Sequence, residues 1–489
     1  FVNAQNTFDT QNKLVNRLIN YVKVYTQSDY NGTPSPTTEG QRDFAKMLAK
    51  ELKSMGLQDV LVDEYSYLYA TIPATIENAP TLFLSAHLDT TPDADLEGKV
   101  PNPIIHKYQG GVIKVGNLTI NDDLLKSAIG GEVITSDGTT ILGGDDKAGI
   151  SIIMTLAEYL TQNKQIPHGD IRIVFTPDEE IGESVKYLTK EKLNADFGLV
   201  LDSHGFGRIV TETFNATDFT ITIKTLDSGH PGYSNKVPAY RVAGAIISSF
   251  VDNEKYSAYN SSDKQGYIDY YSQEEISSTE YKIKGRIRSF DEKEILYFEM
   301  LLSNWLNKTA KKYNMKLTNT NTNINEPTII LTLKDSYKNT KTELSKYPTN
   351  YKLIEQAYKK ANVAIKPESA RGGSDANDIT FMGIPTYNIF AGYHNDHSKT
   401  EWVSSKQMEG AFNVVLNYIT LLPTINAKSV NEKDEIKTQI KDTIKICQTT
   451  QTSRQRRTSK TLRQLLPKQS SSLRTIRNLS CLAHWPSSQ

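Results

Sequence analysis

Five short segments of this 489-residue chain carry carboxylates or histidines in patterns that suit metal-dependent hydrolysis. Their chemically capable side chains are, in chain order, His87, Asp89, Asp145, Asp146, Asp178, Glu179, Glu180, Asp202, His394 and His397. Two imidazole nitrogens and three carboxylates from this set suit two Zn²⁺ or similar borderline ions, with one carboxylate bridging them. A further glutamate beside such ions can accept and return protons.

Each segment taken alone also has a structural explanation. In the pair His87 and Asp89, the carboxylate can hold the ring of a metal-binding histidine, but most pairs of this spacing are incidental surface residues. The aspartate pair can cap the helix that follows it, and adjacent glutamates are common in solvated loops. The two histidines of the last segment are equally typical of core or surface positions. The metal-site hypothesis therefore depends on a fold that brings the segments together.

Four of the five segments follow apolar, strand-like runs, which cover 81–86, 171–176, 197–201 and 386–390. A long apolar helix is predicted over 148–160 between the first two runs. This alternation favours an α/β sheet that is buried on both faces. Because open α/β sheets bind ligands beyond the carboxyl ends of their strands, we expect the five segments to meet there.

The pattern changes between about residues 212 and 333. Strand-like alternation covers 213–225 and 280–290, and helical spacing covers 241–251 and 292–313. This arrangement predicts an α+β insertion within the α/β fold. The α/β pattern then resumes and closes with a helix over 407–422.

The formal net charge is zero, from 56 basic and 56 acidic residues, but the charges are unevenly distributed. Nine basic residues and no acidic residue follow Asp442, so the first 442 residues carry 56 minus nine, or 47, bases against 56 acids. Both cysteines, Cys447 and Cys481, also lie beyond that point, which excludes a disulfide framework and a cysteine nucleophile from the first 442 residues. The composition of 443–489, rich in Ser, Thr, Gln and Arg, predicts a disordered basic tail.

The tail leaves two interpretations open. Its bases could bind a polyanion such as nucleic acid, although Trp485 is its only aromatic residue and stacking on bases has little support. Alternatively, the abrupt change in residue usage is what a shifted reading frame or a mis-joined gene model would produce. At the other end, the polar residues 1–6 do not resemble a signal peptide, so we expect a cytoplasmic protein without a membrane span.

Longer strings within the chain point to a family. They are GGDDKAGI (143–150), IPHGDIRIVFTPDEE (166–180), RGGSDAND (371–378) and FMGIPTYNIF (381–390). With the order of the five segments, they resemble the co-catalytic zinc peptidases related to glutamate carboxypeptidase and acetylornithine deacetylase. Within that family the resemblance is to the tripeptide aminopeptidases, from about residue 13 to residue 422.

The resemblance implies a role for each matching residue. The implied zinc ligands are His87, Asp145 as the bridge, Glu180, Asp202 and His397. Asp89 is implied as the partner of His87, and Glu179 as the general base. The implied substrate-binding residues are His230, which steadies the tetrahedral intermediate, with Arg288 and Arg371, which hold the substrate carboxylate. A structural salt bridge is the alternative explanation for each arginine.

The resemblance also implies an architecture and a reaction. A two-zinc exopeptidase-like domain would comprise 1–211 and 334–425, with an inserted lid or dimerisation domain over 212–333 and an extension with the basic tail over 426–489. The implied reaction releases the N-terminal residue of a tripeptide by attack of a hydroxide held between two Zn²⁺, and a homodimer through the inserted domain is implied. Dipeptidase, carboxypeptidase and N-acyl-amino-acid hydrolase activities of the same superfamily are the alternatives.

Overall fold

The fold is described by a computed structural model for residues 8–93, 99–226, 236–320 and 326–425. These residues belong to one unit that spans 1–426, and residues 427–489 lie outside the described part. The predicted basic tail over 426–489 and His230 are therefore also outside the described residues. Within the described ranges, no helix is long and apolar enough to cross a membrane.

Helices and strands alternate through the described part of the chain. The helices are α1 (Thr10–Val22), α2 (Glu39–Ser54), α3 (Gly144–Gln162), α4 (Lys190–Leu193), α5 (Ala239–Val251), α6 (Glu292–Tyr313), α7 (Lys341–Leu344), α8 (Pro348–Lys360), α9 (Asp375–Phe381) and α10 (Ser405–Leu421). The strands up to the middle of the chain are β1 (Gln58–Val62), β2 (Leu68–Ile72), β3 (Leu82–His87), β4 (Ile104–Tyr108), β5 (Ile113–Val115), β6 (Leu118–Ile120), β7 (Gly131–Thr135), β8 (Ile171–Thr176), β9 (Phe197–Ser203) and β10 (Arg208–Thr213). The later strands are β11 (Asn215–Lys224), β12 (Tyr267–Ser277), β13 (Glu280–Ser289), β14 (Lys316–Thr318), β15 (Thr328–Tyr337), β16 (Lys366–Ala370), β17 (Thr386–Phe390), β18 (Tyr393–His394) and β19 (Trp402–Ser404).

An eight-stranded sheet, in the order β1-β2-β8-β3-β9-β17-β10-β16, positions the site. Its four central strands, β8, β3, β9 and β17, run parallel to one another. All four strands predicted from apolar runs are present, and β8 and β17 have the predicted bounds. Every residue of β3 and β17 is buried, as expected for parallel strands covered on both faces.

Helix α3 packs against β3 and β9, and α9 packs against β9 and β17. The apolar composition of α3 agrees with its position, because most of its residues are buried. Helices α1 and α10 in turn pack on α3. The mixed α/β architecture predicted from the sequence is therefore confirmed.

The predicted α+β region contains a five-stranded sheet in the order β12-β13-β11-β15-β14. Helices α5 and α6 pack against it and bury a separate apolar cluster, which includes Phe219, Ile283, Ile287 and Leu302. Because side chains alternate along a strand, Lys284 and Arg286 of β13 face away from this cluster. The boundaries at 211/212 and 333/334 stay a prediction, since β11 begins at Asn215 and β15 continues to Tyr337.

A four-stranded sheet in the order β18-β19-β7-β4 was not predicted. It pairs Trp402 with Thr135 and Tyr393 with Val403, so it joins distant parts of the chain. The loop between β18 and β19 carries His397. This small sheet therefore places a residue from the end of the α/β fold next to residues from its first half.

Candidate metal centre

The predicted ligands converge at the carboxyl ends of the central strands. His87 is the last residue of β3, and Asp202 lies near the end of β9. Glu180 lies in a single 3₁₀ turn directly after β8. Asp145 lies where α3 begins, in a non-helical backbone conformation, and the peptide bond to Asp146 is cis.

Two groups of donor atoms lie on either side of Asp145. Its Oδ1 is 3.0 Å from His87 Nε2, which is itself 3.6 Å from Asp202 Oδ1. Its Oδ2 is 3.5 Å from His397 Nε2, which is 2.9 Å from Glu180 Oε2. One carboxylate therefore faces a histidine and an acid through each of its two oxygens, which is the arrangement of a bridging ligand.

The neighbouring Asp146 has a different role. Its Oδ1 accepts a hydrogen bond from the backbone N–H of Gly149 at 3.1 Å, and its Oδ2 accepts one from the backbone N–H of His87 at 3.3 Å. The first bond caps the regular part of α3, as an aspartate at a helix start does. Asp146 also lies close enough to His87 and Asp202 to be a metal ligand by distance alone. Its two backbone bonds favour the structural role.

Asp89 connects the first ligand with the acidic segment after β8. Its Oδ1 is 3.4 Å from His87 Nδ1, and its backbone carbonyl oxygen is 3.1 Å from the same nitrogen. Its carboxylate oxygens also accept hydrogen bonds from the backbone N–H groups of Glu179 and Glu180, at 3.0 and 3.1 Å. Asp89 thus orients the ring of His87 and fixes the backbone that carries Glu179.

The pKa values around the site favour bound positive charge. Burial and the Asp145 carboxylate raise the pKa of Glu180 to about 8, and burial raises the pKa of Asp202 to about 7. Hydrogen bonds to Asp145 and Glu180 raise the pKa of His397 to about 11. Crowded buried carboxylates behave in this way because each added negative charge is costly unless protons or cations balance it.

One buried atom tests whether a metal fits this site. Glu180 Oε1 has no hydrogen-bond partner among the described residues. Buried carboxylate oxygens in native proteins are almost always paired with a donor, a water or an ion. The surrounding nitrogen and oxygen donors suit Zn²⁺ and similar divalent ions, so the residues present fit a metal centre.

The sequence model of peptidase family M20/M25/M40 matches residues 143–421, more than half of the chain. The chain belongs to this family. Peptidase T from Halothermothrix orenii is 35% identical over 422 residues, which are 84% of this chain and 99% of that protein. Among solved structures, aminopeptidase PepT from Bacillus cereus aligns with a TM-score of 0.62 and 23% identity, over 84% of this chain and 98% of that one. A tripeptidase from Staphylococcus aureus aligns with a TM-score of 0.58 and 22% identity, over 85% and 99%.

In this M20 peptidase, Glu401 supports the metal centre from a position that the sequence analysis assigned no role. It is 1% exposed, and its carboxylate accepts hydrogen bonds from the backbone N–H groups of Leu142, Gly143 and Asp145, at 2.9, 2.7 and 2.9 Å. It therefore holds the turn that presents Asp145. The only signal in the sequence is its position four residues after His397.

Two more residues of the M20 site were assigned no specific role from the sequence, although Asp178 was among the candidate side chains. The hydroxyl of Tyr393 donates a hydrogen bond to Asp202 Oδ1 at 2.9 Å. Asp178, which is fully buried, accepts hydrogen bonds from the Ser35 and Thr37 hydroxyls at 2.6 Å and from Gln41 Nε2 at 2.7 Å. Asp178 thereby anchors the start of the segment that carries Glu179.

His394, the alternative to His397, has a structural position in the M20 fold. Its ring stacks on Trp402 with 4.0 Å between centroids, and its Nε2 lies 2.7 Å from Gln407 Oε1. Burial lowers the pKa of His394 to about 4. These contacts explain why His394 and not His397 is the core histidine of this segment.

Two adjoining cavities open beside the metal centre of the M20 fold. The first, here called the metal cleft, has a volume of about 480 Å³ and is lined by Asp145, Asp202, His397 and Arg371 among others. The second, here called the side cavity, has a volume of about 530 Å³ and is lined in part by Arg288. Glu179, Glu180 and 372–374 line both cavities.

The two arginines expected to hold a substrate carboxylate differ in their contacts. Arg371 donates to the carbonyl oxygens of Asp263 and Gln265, both at 3.0 Å, and to the Ser261 hydroxyl at 2.6 Å, so three of its five N–H donors are used within the protein. Arg288 donates to the carbonyl oxygen of Arg371 at 3.2 Å, and its Nε has no hydrogen-bond partner in the described part of the chain. Both substrate-binding roles stay predictions, and Arg288 has the greater capacity to bind a ligand.

Proposed function

We propose that the protein is a tripeptide aminopeptidase that uses two Zn²⁺ ions. The observation that most directly supports this proposal is the position of Asp145. Its two carboxylate oxygens face two separate groups, each with a histidine and an acid, and the site lies beside Glu179 in an accessible cleft. The relative named Peptidase T and the solved tripeptidase support the substrate class. The chemistry of the donor set supports zinc.

The chain supplies the ligands as two groups that share Asp145. His87 and Asp202 would hold one ion, and Glu180 and His397 the other. When bound, the two ions supply Lewis acidity that lowers the pKa of a water molecule and polarises the peptide carbonyl. Asp89 and Tyr393 orient a ligand in each case, by the contacts described above, because a metal site depends on the groups behind its ligands.

Glu179 performs the proton transfers. Burial and the nearby Asp202 carboxylate raise the pKa of Glu179 well above its usual range, the direction expected of a general base that works near neutral pH. It accepts a proton from the attacking water and returns it to the nitrogen of the departing amine. Because it lines both cavities, it lies beside any peptide that passes from one to the other.

The length preference is the direct test of the substrate class. Rates would be measured for di-, tri- and tetrapeptides of alanine and for N-acetylalanine, with the zinc-loaded protein. We expect kcat/KM to be highest for the tripeptide, with alanine and dialanine as products. Cleavage of dipeptides or acetylated residues at equal or higher rates would instead support a dipeptidase or an N-acyl-amino-acid hydrolase of this family. Because trialanine gives the same products from either end, the cleaved bond is assigned with Leu-Ala-Ala, which should give leucine and dialanine. Release of alanine and Leu-Ala would instead support a carboxypeptidase.

Metal analysis of two variants distinguishes the proposed base from a proposed metal ligand. We expect Glu179→Ala to keep two metal ions per chain and lose turnover, and His397→Ala to lose metal. Glu183→Ala, which removes the exposed partner of Lys186, is the matched control and should keep both properties. Loss of metal from Glu179→Ala would contradict its role as base.

Two assembly proposals accompany the catalytic one. A homodimer through the inserted region is supported by Leu296 and Met300, which are 64% and 54% exposed on α6; light scattering of Leu296→Glu should then show a monomer. Polyanion binding by the basic tail is tested with a chain lacking 443–489, which should retain peptide turnover and lose heparin binding. A full-length chain that does not bind heparin would exclude this second role.

A further inference from the structure

We propose that Arg286 makes the side cavity a subsite for an acidic C-terminal residue of the peptide substrate. This inference rests on the proposed peptidase function and specifies its substrate. Arg286 lines the side cavity together with Arg288, two residues further along β13. No role was assigned to Arg286 from the sequence.

The geometry of β13 directs both guanidinium groups to the same side. Ile283 and Ile287 of this strand lie in the apolar cluster under α5 and α6, so the alternate residues Arg286 and Arg288 lie on the opposite face. Side chains two residues apart on a strand start about 6.6 Å from each other. A residue with both an α-carboxylate and a side-chain carboxylate presents two anionic groups at a separation that long arginine side chains can bridge.

Neither guanidinium is saturated by the protein. The Nε atoms of Arg286 and Arg288 are buried and have no hydrogen-bond partner within the described ranges. The nearest carboxylate to Arg286 is Asp218, whose Oδ1 is 3.7 Å from Nε, beyond hydrogen-bond distance. The other oxygen of Asp218 accepts a hydrogen bond from the Ser336 hydroxyl at 2.6 Å. Asp218 therefore balances part of the charge of Arg286 and leaves donors for a ligand.

Aromatic rings hold the two guanidinium groups in place. The Arg286 guanidinium carbon lies 4.6 Å from the centroid of the Tyr271 ring, and that of Arg288 lies 5.5 Å from the centroid of the Tyr337 ring. A cation–π contact of this kind limits the conformations of an arginine without using its N–H donors. Two oriented guanidinium groups with free donors favour carboxylates over other groups.

With the C-terminal residue in the side cavity, the N-terminal end of the peptide lies in the metal cleft. The metal cleft is rich in carboxylates, and its Arg371 already bonds to the protein through three donors. The side cavity is the better location for the carboxylate end of the peptide. Its volume of about 530 Å³ is sufficient for a residue larger than alanine.

The test compares pairs of tripeptides that differ only in charge. For the zinc-loaded protein, kcat/KM would be measured with Ala-Ala-Asp and Ala-Ala-Asn, and with Ala-Ala-Glu and Ala-Ala-Gln. We expect the acidic member of each pair to be preferred by roughly tenfold, the effect of one charge-assisted hydrogen bond at a partly exposed site. In Arg286→Gln the ratio should fall towards one, mainly through KM, and in Arg286→Glu the preference should shift to Ala-Ala-Lys.

The matched control is Lys284→Gln, which removes an exposed charge from the same face of the same strand outside the cavity lining. It should keep the wild-type ratio. Equal kcat/KM values for the acidic and amide peptides in the wild-type protein would overturn the inference while leaving the peptidase function intact. Absence of cleavage of every tripeptide, including Ala-Ala-Ala, would instead overturn the proposed function itself.

Discussion

The carboxylate of Glu401 accepts a hydrogen bond from the backbone N–H of Asp145, with 2.9 Å between Oε1 and the nitrogen. Its other oxygen accepts hydrogen bonds from Leu142 and Gly143. A side chain from the end of the α/β fold therefore shapes the turn that carries Asp145, the proposed shared ligand. The precise position of Asp145 depends on a residue 256 positions away in the chain.

Replacing Glu401 by glutamine tests this dependence. Glutamine retains one acceptor oxygen and directs an NH₂ group towards backbone N–H donors, so the turn must shift. We expect the metal affinity to fall by roughly 10- to 100-fold, the usual effect of changing a group behind a ligand. Competition with a chromogenic chelator measures it, with Glu343→Gln, at a surface ion pair, as the control. An unchanged affinity would show that the turn holds its shape without Glu401.

Removing the hydroxyl of Tyr393 should weaken the site through Asp202. Tyr393→Phe deletes the hydrogen bond to Asp202 Oδ1 while keeping the ring. We expect a metal affinity about tenfold lower and an unchanged fold by circular dichroism. Tyr69→Phe is the matched control, because Tyr69 is a buried tyrosine whose hydroxyl contacts none of the proposed metal ligands. Equal metal affinities for the two variants would exclude a role for the Tyr393 hydroxyl.

The buried ring of His394 predicts a pH-dependent stability. Burial lowers the pKa of His394 to about 4, whereas in the unfolded chain the value is about 6.5. Between these values the unfolded chain binds one more proton than the folded chain, so the free energy of unfolding falls as the pH drops through that window. The contribution is on the order of 3 kcal/mol and is fully present only above about pH 6.5.

The variant His394→Gln isolates this contribution. Urea unfolding would be followed at pH 7 and pH 4.5 in the presence of a chelator, because metal binding has a pH dependence of its own. The stability difference between wild type and variant should be smaller at pH 4.5 than at pH 7. A difference that stays constant across the window would mean that the folded protein accommodates the charged ring.

The reciprocal pair formed by Gln41 and Asp178 predicts a stability effect. Gln41 Nε2 donates to Asp178 Oδ1 at 2.7 Å, and the backbone N–H of Asp178 donates to Gln41 Oε1 at 2.9 Å. Gln41→Met keeps the side-chain length but leaves that buried N–H unpaired. We expect a loss of about 1–3 kcal/mol in the free energy of unfolding, measured with urea. The exposed Gln165→Met should change it little.

Elements with a clear apolar run or helical periodicity were predictable from the sequence. The strands β8 and β17 and the helix α6 match their predicted bounds. In each of them the pattern of apolar residues covers the whole element, so its ends mark where the element begins and ends. The small sheet of β18, β19, β7 and β4 was not predictable, since its strands are two to five residues long and β19 pairs with β7 across more than 250 positions. Short strands of this kind carry no periodicity of their own.

The candidate metal site also contains residues that were predictable from the sequence and residues that were not. The five metal ligands could be proposed from the sequence, because histidine and carboxylate side chains are themselves the metal-binding groups. They are His87, Asp145, Glu180, Asp202 and His397. Glu401 could not be assigned a role, because it acts on backbone N–H groups, which every residue has. Asp178 could not be assigned one either, because its partners Ser35, Thr37 and Gln41 lie far earlier in the chain. A substrate-binding role for Arg286 could not be predicted either. It depends on which cavity the side chain lines, and only the three-dimensional structure contains that information.

The position of β17 has a consequence for synthesis of the protein. In the central sheet β17 lies between β9 and β10, although it is made about 180 residues after β9. At roughly 5–20 residues per second, a ribosome needs about 10–40 s to supply it. Throughout that interval the nascent chain exposes an unpaired, apolar edge at β9, which is the kind of surface that recruits other chains. We expect productive folding in the cell to depend on chaperone protection during this delay.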